Sequence, residues 1–321
     1  MIENEAAPAI HVAPSPHIRD TKGDTRKMMM DVILGLLPMV IVAVYLFRLY
    51  AVKQMCICLV SCLAFEWLFV KMRQRSGTLK DCSAVVTGII LALSLPGSAP
   101  WFVGVIASAV AMGIGKIIFG GLGMNIFNPA MVGRAFVMIA FAQLMGAGSY
   151  ENLTGLVDGV SGATPLSALK FNHLATPVPD LFWGMTNGSI GETSTAACLA
   201  GGLFLVLRRA ASWQIPLGIL ATVLVLAGIG DIAGSHSGRL LIHHLFGGAL
   251  MFGAFFIATD PVTSPLTSKG KWVFGIGTGF LIMVIRFFSG YPEGVMFAVL
   301  MMNAVTPLIN RWTNPQPMGE A

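Results

Sequence analysis

Charge is what this sequence has least of. Only 11% of its 321 residues are Asp, Glu, Lys or Arg, while 55% are hydrophobic; a soluble domain carries roughly 25% charged residues. Twenty Lys and Arg with 15 Asp and Glu, many crowded into a few short stretches, cannot clothe a soluble fold of this length. Cysteine is also sparse. Cys56, Cys58, Cys62, Cys82 and Cys198 lie in or beside apolar segments with no CxxC pair, which excludes a disulfide framework and a zinc or iron–sulfur site and leaves small buried hydrophobes. No Gly-rich nucleotide loop is present. A secretory leader is not expected, since residues 1–27 are polar and the apolar run after them is too long for one. The net charge of +5 sits in loops and not on a basic domain, so nucleic acid is excluded as a partner.

What is present is long apolar sequence. Segments at roughly 31–50, 52–70, 83–96, 101–118 and 127–145, then 193–209, 213–231, 242–259, 272–288 and 293–311, read as ten spans, most near the length of about 20 residues that crosses a bilayer and some shorter. Thirty-seven glycines suit closely packed membrane helices. Assigning the N-terminus to the cytoplasm puts fourteen Lys and Arg on that side. Five (Arg48, Lys53, Lys170, Arg239, Arg286) fall on the other, and Arg134 lies inside the fifth span. By the positive-inside rule both termini are cytoplasmic. Trp101, Trp213, Trp272 and Trp312 fall at span ends, as an interfacial belt requires. Between the fifth and sixth spans lies the longest connection, 146–192, with Glu151, Asp158, Asp180, Glu192 and three prolines. A loop of this length is usually functional, and this one faces outward, into the periplasm of a Gram-negative cell.

The two halves resemble each other. Gly88–Pro96 lines up with Gly253–Pro261, Lys116–Gly120 with Arg286–Gly290, and Leu34–Gly35 with Leu217–Gly218. Five spans per half is an odd number, so two copies must insert with opposite topology. Inverted repeats with short, Gly/Pro-interrupted spans mark a midplane site, and here the interrupted spans are the third and eighth, ending at Pro96 and Pro261. The expected fold is an all-α integral membrane protein of about ten transmembrane helices in two inverted five-helix repeats. Its divisions are a cytoplasmic segment (1–27), a first repeat (28–145), the outward loop (146–192), a second repeat (193–312) and a tail (313–321).

The outward loop holds Asp158-Gly-Val-Ser161-Gly162-Ala163-Thr164-Pro-Leu166. Small and turn-forming residues leave the Thr164 hydroxyl unhindered and allow close backbone approach at Gly162. An ordinary loop turn has the same composition, but Ser-Gly-Ala-Thr arises by chance in a chain this long less than about once in a hundred. The segment resembles the flavinylation motif of the Rnf and Nqr redox pumps. Phe127–Phe136 (FNPAMVGRAF) and Ala258–Pro265 (ATDPVTSP), together with the span plan, are similar to the NqrB/RnfD family, and to its RnfD branch, from the Rnf (Rsx) ion-translocating electron transport complexes, in particular. The related component of the sodium-pumping quinone reductase carries a longer N-terminal extension, absent here.

That resemblance implies a flavoprotein, and formally a phosphoprotein, in the bacterial inner membrane. FMN is joined to Thr164 through a phosphoester by a flavin transferase, with Ser161, Gly162 and Ala163 as the recognition turn and Asp158 in the transferase signature. It implies the other Rnf subunits as partners and membrane lipid around the chain. It further implies electron relay between NADH and ferredoxin, coupled to Na⁺ or H⁺ translocation and incomplete in this chain alone, and a second, non-covalent riboflavin whose ligands the sequence does not assign. A reduced flavin carries negative charge, so Arg134 is a candidate stabiliser, with pairing to a carboxylate or to backbone carbonyls as the other reading. Glu66 and Asp260 are candidates for ion coupling. Glu66 could equally pair with Lys71 or Arg73, and Asp260 could instead cap a helix end. His243 and His244 read as solvated interfacial residues. No residue is assigned to catalysis or to a metal. The competing class is a small-solute channel or secondary transporter of urea-channel-like architecture, which would have no use for Ser161–Thr164.

Overall fold

The computed structural model describes residues 25–73, 81–145, 164–172, 174–232 and 241–314. Among these residues the secondary structure is helical, with one isolated antiparallel bridge between Pro96 and Ser189. The helices are α1 (Thr25–Phe47), α2 (Leu49–Met72), α3 (Ser83–Ser94), α4 (Trp101–Met112), α5 (Pro129–Ala140), α6 (Ala142–Met145), α7 (Pro165–Asn172) and α8 (Val178–Trp183). They continue with α9 (Thr195–Leu207), α10 (Gln214–Ile232), α11 (Leu241–Phe246), α12 (Leu250–Phe252), α13 (Ser268–Phe288) and α14 (Val295–Thr313). Each of the ten apolar segments coincides with helix. Four helices, α1, α2, α13 and α14, are long and apolar enough to cross a membrane, and α3, α4, α5, α9 and α10 are shorter apolar helices. This is an all-α membrane protein.

Local chemistry sets the helix starts. Asn128 accepts from the Met131 N–H at 3.3 Å with Pro129 at the first helical position, Ser194 accepts from Ala197 N–H at 3.3 Å, and Thr267 from Gly270 N–H at 3.0 Å. Each satisfies an orphan donor that lipid could not. Wider π turns extend α4 (Gly113–Ile117) and α12 (Gly253–Ile257). The third span of each half is interrupted. α3 stops at Ser94, and the Leu93 and Leu95 carbonyls there accept from Gly191 N–H at 2.7 Å and Ile190 N–H at 3.2 Å, so the returning loop completes the broken helix. In the second half the Ile257 carbonyl accepts from Asn128 Nδ2 at 3.4 Å.

The packing has the pattern that two related halves produce. α2 packs on α3 and α4, and α4 on α5; α10 packs on α11 and α13, and α13 on α14. α1 and α9 pack on each other, and so do α5 and α14. At the α1–α9 crossing a Cβ on Gly201 would stand 2.0 Å from the Gly35 carbonyl oxygen, so both backbones meet where no side chain fits. This pattern corrects one alignment. Gly218 belongs to α10, the counterpart of α2, and rests on Gly275 of α13, so Leu217–Gly218 is not the equivalent of Leu34–Gly35 in α1.

The cysteines are free. Cys58, Cys62 and Cys198 are buried as expected, while Cys56 is exposed and Cys82 half-buried.

Candidate functional site

Two polar centres lie at opposite ends of this apolar bundle. At the end carrying 164–192, Arg134 projects from α5 into the space between the halves and is only 7% exposed. Its Nη2 lies 2.8 Å from Glu192 Oε1, 3.8 Å from Glu293 Oε2 and 3.3 Å from Ser189 Oγ. Glu293 is held in turn, its Oε1 accepting from Ala249 N–H at 2.7 Å. Gly248, at φ +69°, leaves the room for it; a Cβ there would overlap that oxygen. Arg286 is buried in the same region and donates to the His244 and Gly247 carbonyls at 2.6 and 3.3 Å. Burial raises the Glu192 carboxyl above its ordinary value, with Glu293 pushing the same way and Arg134 opposing. Two arginines and two glutamates give the cluster no formal net charge, the condition under which four ionised groups can be kept from water.

Of the two readings of Arg134, the structure supplies the carboxylate partners. Glu192 and Glu293 were not singled out as site residues; the signal was an acidic residue immediately ahead of an apolar run. His243 and His244 are buried, not solvated: the His243 Nε2 lies 2.6 Å from the Thr176 carbonyl oxygen, and His244 packs edge-on against Phe287. Arg286, counted among the loop charges, is 3% exposed.

Thr164 belongs to the same end. It precedes α7, and its Oγ1 accepts from Ser167 N–H at 3.3 Å and lies 2.8 Å from Ser167 Oγ. α7 is docked at both ends. Leu166 packs over Gly247 and Gly248, and Lys170 Nζ donates to the carbonyls of Arg286 at 2.7 Å, Tyr291 at 3.2 Å and Ser289. The threonine is thereby fixed beside the turns that hold Arg286 and Glu293. Asp158, Ser161, Gly162 and Ala163 lie outside the described residues.

At the opposite end a cavity, partly open to the surroundings, separates the halves. Val32, Val86, Ile90 and Phe256 give it apolar walls; Thr87, Asn125, Asn128, Lys116 and Asp260 give it polar ones. The Asn125 Oδ1 is buried and has no hydrogen-bond partner among the described residues. Glu66 is fully buried and pairs with Lys116, whose Nζ also reaches Ser83 Oγ. The expected partners are engaged elsewhere: Lys71 lies 4.9 Å over the Trp67 ring, and Arg73 donates to the Ile117 carbonyl. Lys116, also counted among the loop charges, is 2% exposed. Asp260 closes the turn that follows the interrupted span, two residues beyond the helix end at Ala258 and well before the next helix at Ser268. It accepts from Val262 N–H at 3.1 Å and Thr263 Oγ1 at 3.2 Å and lines the cavity.

The two longer motifs acquire physical roles here. In Phe127–Phe136, Asn128 caps α5, Arg134 enters the charge cluster, and at Gly133 a Cβ would stand 2.4 Å from the Ala107 carbonyl oxygen of α4. In Ala258–Pro265, the Thr263 carbonyl accepts from Asn303 Nδ2 at 3.2 Å and Thr306 Oγ1 at 3.1 Å, tying the interrupted span to α14. No group of three or more potential metal ligands occurs among the described residues.

This bundle, with a buried charge cluster at one end and a polar-walled cavity at the other, is a membrane protein built around sites between its halves. Residues 11–319 match the NQR2, RnfD, RnfE family, and the chain belongs to it. It is 42% identical to the D component of the Na⁺-translocating ferredoxin:NAD⁺ oxidoreductase complex of Acetobacterium woodii, over 96% of this chain and 95% of that one. It is 39% identical to the D component of the proton-translocating ferredoxin:NAD⁺ oxidoreductase complex of Clostridium ljungdahlii, over 96% of each. To the D component of the ion-translocating oxidoreductase complex of Actinobacillus succinogenes it is 38% identical, over 95% of this chain and 96% of that one.

Removing Arg134 should leave two buried carboxylates without their shared cation. Arg134→Gln is expected to destabilise the protein by about 3–5 kcal/mol, read as a lowered thermal unfolding midpoint in detergent, with Glu192→Gln in the same chain recovering part of it. An unchanged midpoint in Arg134→Gln would show that the cluster is not a paired charge network.

Proposed function

We propose that this chain is the membrane subunit of an ion-translocating ferredoxin:NAD⁺ oxidoreductase complex, that it carries FMN as a phosphoester on Thr164, and that it relays electrons within that complex. The observation that carries the reading is Thr164 itself: the last residue of Ser-Gly-Ala-Thr caps α7 and is fixed at the end of the bundle that holds the Arg134 cluster. Near-full-length similarity to components of such complexes supports it and leaves the channel reading without comparable support. NADH, ferredoxin and iron–sulfur chemistry then belong to partner subunits.

The residues present fit the group. Half-exposed Thr164 offers a hydroxyl to a transferase, and the diester's negative charge would lie at the N-terminal end of α7, where the helix dipole favours it. When bound, the flavin supplies one- and two-electron transfer. Attachment through the phosphate leaves the ring system free and keeps it at about millimolar effective concentration beside its partners. Arg134 and Arg286 contribute positive potential near this end, balanced by Glu192 and Glu293. The opposite cavity, with apolar walls and the unpartnered Asn125 Oδ1, is the place in this reading for a second, non-covalent flavin of the riboflavin type. Asn125, whose Oδ1 has no partner among the described residues, would meet its polar edge between the apolar walls.

In this reading the two halves are inverted repeats in a bacterial inner membrane, with both termini cytoplasmic and 146–192 in the periplasm. The cavity with Glu66–Lys116 and Asp260 then opens toward the cytoplasm and is the entry point for the pumped ion. The ion itself is left open by the relatives, one named for Na⁺ and one for protons.

The attachment is tested on a denaturing gel. Chain co-produced with a flavin transferase should give a band fluorescent under ultraviolet light, and Thr164→Val should be dark; a dark wild-type band contradicts the reading. For ion coupling, Asp260→Asn keeps a side-chain oxygen but removes the charge. It should leave the fluorescent band intact and abolish most redox-driven ion uptake into vesicles, whereas normal pumping would reduce Asp260 to its role in the turn.

A further inference from the structure

Among the described residues Ser167 is the hydrogen-bond partner of the Thr164 hydroxyl, and it lies outside the Ser161–Thr164 segment. It is 4% exposed, while Thr164 is half-exposed, so both hydrogen bonds to Thr164 Oγ1, from the Ser167 N–H and with the Ser167 Oγ, come from the protein side. Among the described residues no other group bonds this hydroxyl, and a reaction partner would approach from the side away from Ser167. The serine's own place is set from both directions along α7, by Leu166 against Gly247 and Gly248 and by Lys170 on the carbonyls of Arg286 and Tyr291.

We propose that Ser167 is a positioning residue for flavin attachment: its hydroxyl takes the Thr164 proton as a hydrogen bond and so aims the threonine's free lone pair outward at the incoming phosphorus. This rests on the reading of Thr164 as the attachment site. In the reaction the Thr164 Oγ1–phosphorus bond forms and a phosphorus–oxygen bond to the leaving nucleotide of a flavin dinucleotide breaks. The proton lost by the threonine ends on the leaving phosphate oxygen or in solvent, and no electrons are transferred.

The Ser167 N–H already occupies one lone pair of Thr164 Oγ1. The remaining lone pair and the proton can each point inward or outward, and an acceptor on the inner side selects the arrangement with the proton inward. After attachment Oγ1 is an ester oxygen without a proton, and the pair persists only if Ser167 reverses and becomes the donor. A hydroxyl can make that reversal, since it carries both a donor and acceptor lone pairs. Ser167→Ala removes only this contact, because the backbone N–H that completes the cap remains.

The test uses flavin-free full-length chain in detergent, mixed with flavin transferase and flavin dinucleotide, with the growth of covalent fluorescence followed on denaturing gels. Loss of one hydrogen bond is expected to slow the initial rate in Ser167→Ala roughly tenfold, and Ser167→Thr, which restores a hydroxyl, should run near the wild-type rate. A wild-type rate in Ser167→Ala overturns the proposal while leaving Thr164 as the attachment site. So does equal slowing in the alanine and threonine variants, which would mark a packing effect. A wild-type chain that stays dark overturns the Thr164 reading itself, and Ser167 falls with it. Equal thermal midpoints for wild type and Ser167→Ala establish that the alanine variant is folded; if its midpoint drops, the recovery or failure of Ser167→Thr decides.

Discussion

A charge buried in hydrocarbon must be brought in with its partner, and most of what is distinctive in this bundle follows from that requirement. Unpaired, an ionised side chain at membrane depth costs several kcal/mol. Lys116 and Glu66 answer each other inside the first half, whereas Asp31 with the half-exposed Arg208, 3.0 Å apart, is a surface pair that ties α1 to the end of α9. Arg134 with Glu192 and Glu293 joins the first half to the connection and to the start of α14. The last two sets cross between the halves. The buried Arg134 set fixes how the halves meet more selectively than the apolar contacts around it, which lipid could replace nearly as well.

The interrupted spans obey the same rule applied to the backbone. Where α3 stops at Ser94, its carbonyls are met by residues 190 and 191, and the step from there to Glu192 places that carboxylate against Arg134. Completing the broken helix and positioning the cluster are therefore one act of folding. At the other end Asn128 caps α5 and donates to Ile257, joining the cavity wall of one half to that of the other. The chemistry assigned to the two ends thus rests on loops that are ordered because helices were broken.

Much of this could be read from the sequence, and the rest could not for identifiable reasons. Apolar runs announced the helices because the bilayer imposes a length on them, and Ser161–Thr164 stood out from its loop because its order of residues is rare. Arg134 announced itself as one charge in an apolar stretch. Its partners did not, since Glu192 and Glu293 look like loop acids until α3, α5 and α14 are brought together. Lys116 and Arg286 misled in the opposite sense: each lies near a span end, where a positive charge ordinarily faces water, yet each turns inward. The Leu217–Gly218 match failed because glycine pairs recur in any closely packed membrane helix, and only the α1–α9 crossing identifies Gly201 as the residue facing Gly35.

The central claim is that the two polar centres open on opposite sides of the membrane, the Thr164 end outward and the cavity inward. Met185 and Met124 mark the two ends and are 65% and 62% exposed. Single cysteines replacing them, in a chain otherwise free of cysteine, can be treated in intact cells with a membrane-impermeant maleimide. Met185→Cys is expected to label in intact cells and Met124→Cys only after the membrane is opened. Labelling of Met124→Cys in intact cells with protection of Met185→Cys would invert the topology and contradict the claim.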